Sequence, residues 1–200
     1  VRSALAVLQG EGLVEKIHGK GNFVRRPPRK ITYVCGWGTP DPRTAADVDL
    51  RVTVRTTALP ARGHLTPLLK VGDGSPLSEF LRLSYEGESP HRLARVYVPR
   101  DLAPITALGD QSSRAWAGLA FSVPDPPPAE VHERVSARLP TPDEASTLRI
   151  NTALAVLAIT RVAADNAGRV IEAALLVFPG GRVDAVFSTH DVIEEGRAHR

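Results

Sequence analysis

The chain has 200 residues, 42% of them hydrophobic, enough to bury one sizeable core with a smaller unit beside it. Its single cysteine, Cys35, excludes a disulfide framework, and no apolar run is long enough for a membrane-spanning helix or a signal peptide. The net charge of +3 is unevenly spread: residues 1–30 hold seven Lys/Arg against two Glu, which leaves the remainder mildly acidic and fits a nucleic-acid reader joined to something else.

The first predicted element is an amphipathic helix with Val1, Ala4, Leu5 and Leu8 on its apolar side, stopping at Gly10 and Gly12. A short strand at Leu13 and Val14 leads into a basic tip, His18-Gly19-Lys20-Gly21, and Asn22-Phe23-Val24 returns as a second strand. Helix, strand, basic glycine-rich tip and strand make the back half of a winged helix. In such a device a helix end reads base edges and the tip reaches phosphates or the minor groove. Gly19 and Gly21 permit positive φ, and Lys16, Lys20, Arg25 and Arg26 supply charge that releases counterions. The same spacing also fits an ordinary helix-hairpin with a solvated basic loop. Half a winged helix leaves Leu5, Leu8, Leu13 and Phe23 short of packing partners, at about 1.5–3 kcal/mol for each large side chain left exposed.

Residues 29–50 read as a linker, charged at Arg29-Lys30 and turn-rich around Pro40 and Pro42, with a strand at 31–37 that packs on a neighbouring domain. Beyond it, strands are predicted at 52–58, 78–85, 93–98, 130–139, 156–163, 169–178 and 183–188, the last closing the sheet. Short helices are predicted at 65–70, at 112–119 and after Thr141, where a capping Thr, a Pro and two acids make a helix start. Two strand–turn–strand units, turning at 86–90 and 165–168, predict a mostly antiparallel sheet with covering helices, an α+β fold. In the strand at 130–139, Val131, Val135 and Ala137 share one face and His132, Arg134 and Ser136 the other.

Two resemblances follow from these residues. Arg2-Ser3-Ala4-Leu5, Leu8, Gly12-Leu13-Val14 and Gly19-Lys20-Gly21-Asn22-Phe23-Val24 resemble the end of the DNA-binding domain of GntR-type bacterial transcription regulators, with Asn22 in place of a usual Thr. The resemblance implies DNA contact through Arg2, Lys16, His18, Gly19, Lys20, Gly21 and Asn22. Family members carry two further helices ahead of this point, and this chain has no Met, so the resemblance implies an N-terminally truncated winged helix.

The remainder resembles the UTRA domain, the effector-binding partner in the HutC-like branch of that family, similar in fold to chorismate lyase. The resembling residues are Leu81-Arg82-Leu83, Arg95 to Pro99, Glu133 with Ala137, Leu139 to Ala145, Thr160-Arg161-Val162 through Gly168-Arg169, and Val170 to Glu172 with Gly181-Arg182. The resemblance implies a small metabolite bound at Arg82 and Glu172. Three positions depart from the family: Ser84 where a second ligand Arg is common, Ala94 where a Glu is common, and Phe178 where a Tyr is common. The departures point away from an amino-sugar phosphate and toward a smaller or more apolar ligand, or toward a site that has lost ligand binding.

On the residues alone, Arg82 also reads as a salt-bridged strand face, and Arg161 with Glu172 as a cross-strand ion pair. His132 and Arg134, sharing a strand face, line either a cleft or water. The six His lack metal-type spacing and no nucleophile motif is present, so no metal, cofactor or catalytic residue is expected. The expected organisation is therefore a partial winged helix at 1–28, a linker at 29–50, an effector-binding domain at 51–192 and a tail at 193–200. The expected protein is a cytoplasmic, dimeric transcription regulator whose partners are operator DNA and a small effector. A small-molecule binder without DNA activity is the alternative, and a lyase, argued from fold alone, a third reading.

Overall fold

The two most deeply buried strands of the chain, Ser89–Pro99 and Val170–Pro179, lie at the centre of a sheet. The computed structural model describes residues 3–5, 8, 14–17, 19, 21–24, 30–35, 51–103 and 128–187. Residues 3–5 and 8 are helical. β1 (Val14–Ile17) and β2 (Gly21–Val24) pair antiparallel, with Val14 opposite Val24 and Ile17 opposite Gly21. β3 (Ile31–Cys35) follows. Then come β4 (Arg51–Pro60), α1 (Leu65–Leu69), β5 (Pro76–Glu86), β6 (Ser89–Pro99), β7 (Glu130–Arg138), α2 (Pro142–Leu148), β8 (Val156–Ala164), β9 (Val170–Pro179), a 3-10 turn at Gly180–Arg182 and β10 (Val183–Phe187). The helix predicted at 112–119 lies outside the described residues.

Six strands form one antiparallel sheet in the order β4-β5-β6-β9-β8-β7. It consists of two copies of one unit, strand–helix–hairpin, joined between their last strands. β6 and β9 sit in the middle with both faces covered, so they are buried nearly end to end, and β9 carries an almost continuous apolar run. β4 and β7 are the edges and remain largely exposed. Each helix packs across the seam onto the other unit's central strand, α1 on β9 and α2 on β6. Leu65 and Leu69 share a buried cluster with Tyr97 and Ala173, and Leu148 shares one with Leu93 and Val177. The α2 start is held as the sequence predicts. Thr141 accepts a hydrogen bond from the Glu144 amide, Glu144 accepts one from the Thr141 amide, and Pro142 stands at the first turn.

The other face of the sheet carries a separate apolar cluster that includes Phe80, Val96, Ala174, Leu176 and Phe178. Its cover is a two-stranded parallel ribbon of β3 and β10, with Ile31 opposite Val183 and Cys35 opposite Phe187. Tyr33 and Val183 enter the cluster from that ribbon.

Here the structure departs from the sequence reading, which had β10 closing the main sheet. β9 already has β6 on one side and β8 on the other, so the chain that leaves it has no free position beside it. It turns at Gly180, whose amide bonds the Ala155 carbonyl at 2.9 Å. A Cβ at Gly180 would stand 2.6 Å from that same backbone oxygen, so the turn needs glycine for space. β10 then meets β3, part of the expected linker, and Tyr33 of that strand is only 3% exposed. Among the described residues no helix is long and apolar enough to cross a membrane.

Candidate functional site

Strand alternation sorts the charged residues onto the two faces. On β5, Ser78, Phe80, Arg82 and Ser84 point to the face covered by β3 and β10, while Leu77 and Glu79 point to the helices. Register places Arg82 opposite Ala94 and Ser84 opposite Arg92. A bulge between Ser84 and Tyr85 shifts the following pairs. Arg82, Ser84, Arg92 and Glu172 are all buried, although they lie on a face that is otherwise apolar. Arg92 Nη2 donates to Ser84 Oγ at 3.4 Å.

The group continues across β9, β8 and β7. Arg161 Nη1 lies 3.3 Å from Glu172 Oε1, and Arg161 Nε lies 3.4 Å from Glu133 Oε1. Tyr33 donates its hydroxyl to the same Glu133 oxygen at 2.8 Å. Tyr33 also packs its ring edge against Phe178 at 5.9 Å between centroids. Glu172 Oε2 is buried and accepts no hydrogen bond among the described residues. A buried acceptor of this kind costs about 1–3 kcal/mol unless something donates to it.

Electrostatics show how closely these groups share one environment. Burial, with Arg92 nearby, lowers Arg82 to about 10, while Glu172 pulls it back up. Burial pushes the Glu172 carboxyl up to about 7 against the opposing pull of Arg161 and Arg82. The folded form therefore binds more protons than the unfolded chain between the usual carboxylate value and about 7. Stability from this group is present at low pH and is lost as pH rises through that window. Replacing Glu172 with Gln is expected to flatten the decline, so that the variant gains on wild type as pH increases. Urea midpoints at roughly pH 5 and pH 7.5 read the difference. Parallel pH profiles for the two proteins would sink this assignment.

The sequence-predicted residues fall in three places. Arg82, Ser84, Ala94, Glu172 and Phe178 come together on the covered face. His132 and Arg134 do not join them. They alternate with Glu133 on β7 and so point to the opposite side, where both are exposed and His132 Nε2 lies 2.8 Å from Glu130. Arg2, His18 and Lys20 lie outside the described residues. Lys16 pairs in register with Asn22 in the β1–β2 hairpin, and the exposed Gly19 and Gly21 hold φ of +78° and +107°. The expected Arg161–Glu172 pair forms on the diagonal, since Arg161 is opposite Ala174 and Glu172 opposite Ala163.

Arg92, Glu133 and Tyr33 were not among the predicted site residues. The sequence places the start of this strand at 93, whereas β6 starts at Ser89 and so includes Arg92. Glu133 carried a usable signal, a lone charge in register with Val131 and Val135 on the apolar side of its strand. Among the described residues, no group of three or more His, Cys, Asp or Glu is placed to hold a metal ion.

Comparison with known proteins agrees with this architecture. Residues 51–184 match the UTRA domain family. An uncharacterized HTH-type transcriptional regulator of Rhizobium meliloti (strain 1021) is 30% identical over 193 residues, covering 92% of this chain and 76% of that protein. The crystal structure of PhnF from Mycobacterium smegmatis superposes with a TM-score of 0.65 at 22% identity, over 95% of this chain and 84% of that one. The C-terminal domain of the histidine utilization repressor from Pseudomonas syringae pv. tomato gives 0.54 at 22% identity, over 75% of this chain and all of that one. At these identities the two structures show the shared fold. With the family match and the regulator relative, the chain belongs to the HTH-type transcription regulators that carry a UTRA domain.

Proposed function

We propose that the chain is a DNA-binding transcription regulator whose operator affinity is set by a small anionic metabolite bound on the covered sheet face. The observation that carries this reading is the buried polar group of Arg82, Ser84, Arg92 and Glu172 set into an apolar face, with Glu172 Oε2 lacking a donor among the described residues. Two guanidiniums suit a carboxylate or phosphate. Glu172 suits a hydroxyl or amine on the same molecule. Ala94 and Phe178 keep the rest of the site apolar, which favours a compact acid over a sugar phosphate. His132 and Arg134, on the other side of the sheet, are left out of the site.

The hairpin, with Arg2, Lys16, His18, Gly19, Lys20, Gly21 and Asn22, is the DNA-contacting end. The arrangement of residues 1–28 as winged helix, 29–50 as connection and 51–192 as effector domain is retained, with β3 assigned to the effector domain. The protein acts in the cytoplasm as a symmetric dimer, so that two heads meet two half-sites. It performs no chemistry. The effector prefers one arrangement of the dimer and shifts the population that fits the operator.

The test uses the whole chain and a panel of small carboxylates and phosphomonoesters. At least one compound is expected to raise the melting temperature, with stabilisation of about 2.7 kcal/mol at a hundredfold excess over Kd. The same compound is expected to change the affinity for duplexes selected from a random library, with a steep salt dependence of binding. Stabilisation without duplex binding would leave a small-molecule binder only. No stabilisation by any member of the panel would overturn the anionic site.

A further inference from the structure

The ligand face is tied to the strand that follows the DNA-contacting hairpin in sequence. β2 ends at Val24 and β3 begins at Ile31. On β3, Tyr33 is buried and bonds Glu133 on β7 at 2.8 Å. The same Glu133 oxygen holds Arg161 on β8, and Arg161 holds Glu172 on β9 at the site. Four side chains from four strands thus form one continuous run of polar contacts. Its outer end lies on β3, whose ladder partner among the described residues is β10.

From this run we propose that Glu133 is a positioning residue that couples occupancy of the ligand site to the seating of β3. The proposal rests on the anionic-ligand reading above. One carboxylate oxygen serves both a guanidinium and a phenolic hydroxyl, so the two donors compete for its charge. An anionic ligand that engages Arg161 draws it away from Glu133, whereas one that takes over Glu172 releases Arg161 toward Glu133. In the first case the freed oxygen holds Tyr33 more strongly, and in the second it holds Tyr33 less. The Tyr33 ring is braced against Phe178, so the change reaches the β3 backbone instead of being absorbed by rotation of the ring. The coupling has a physical carrier, a shared acceptor with two arrangements, rather than mere proximity.

Hydrogen exchange of the whole chain tests it, with inorganic phosphate as the probe and calorimetry as an independent measure of binding. In wild type, phosphate is expected to change exchange at the β3 amides by about fivefold or more. Tyr33→Phe removes only the hydroxyl. It is expected to keep phosphate affinity within about twofold while losing the β3 response. Glu133→Gln keeps an acceptor for Tyr33 but weakens the hold on Arg161, and is expected to leave a reduced response. A β3 response of full size in Tyr33→Phe overturns the coupling and leaves the anion site standing. If phosphate fails to bind wild type by calorimetry, a panel acid that does bind becomes the probe, and absence of binding by phosphate and every panel member overturns the anion reading, with which the coupling falls.

Discussion

Replacing Arg161 with Leu is expected to destabilise the effector domain by about 3–5 kcal/mol, a large part of the stability of an ordinary domain. Arg161 is the counter-charge shared by Glu133 and Glu172, and the three side chains are 16%, 10% and 2% exposed. Deleting it leaves two carboxylates in a poorly solvated place without their common partner. A surface pair would cost far less, because water would take over the solvation. Urea unfolding measures the loss. Two controls give it a mechanism. Acid should restore part of the stability, since a protonated Glu172 needs no counter-charge. Adding Glu172→Gln to the variant should restore part of it at neutral pH, a coupling that a double-mutant cycle isolates. A loss below about 1 kcal/mol would show that the pairs contribute no more than surface pairs do.

The second large effect separates binding from stability. Arg82→Met is expected to weaken the tightest anionic ligand by about 2–5 kcal/mol, at least 30-fold in Kd. The fold should lose little. Burial and the neighbouring Arg92 both work against the Arg82 charge, and Glu172 works for it. Removing the guanidinium relieves the first two and gives up the third. Stability within about 1 kcal/mol of wild type, together with collapse of ligand affinity, is the signature of a site held at the fold's expense. Arg82→Lys should recover only part of the affinity, because an ammonium lacks the two-pronged donor geometry. Unchanged affinity in Arg82→Met would remove Arg82 from the site.

Much of the fold was legible because its signals are local. The turn at Asp165 to Gly168 closes with the Asp165 side chain accepting from the Ala167 and Arg169 amides, as its composition suggests. Thr141-Pro142-Asp143-Glu144 spells a helix start on its own. Alternation in β7 likewise reports which residues face inward. What failed was long-range. Nothing near β10 shows that its partner is β3, because that depends on β9 having neighbours on both sides. Arg92 was hidden by a boundary error of four residues at the start of β6. His132 and Arg134 were chosen as the polar side of a strand, yet the polar side of an edge strand is the solvent side. The half-buried charge, Glu133, lies on the apolar side of the strand. In a covered sheet a functional charge is read as an exception to the apolar pattern, not as part of the polar one.

The parallel ribbon also sets an order of events in synthesis. Lys30 and Asp184, which meet at 3.1 Å beside it, are 154 positions apart in the chain. The hairpins of the main sheet join strands only a few residues apart and can form as they leave the ribosome. β3 emerges early, and its ladder partner among the described residues, β10, is made much later. Closing so long a loop adds only modestly to the entropic cost, so the delay is one of timing rather than of final stability. A nascent chain therefore exposes its Arg82 and Arg161 strands until β10 has been made and Tyr33 is seated.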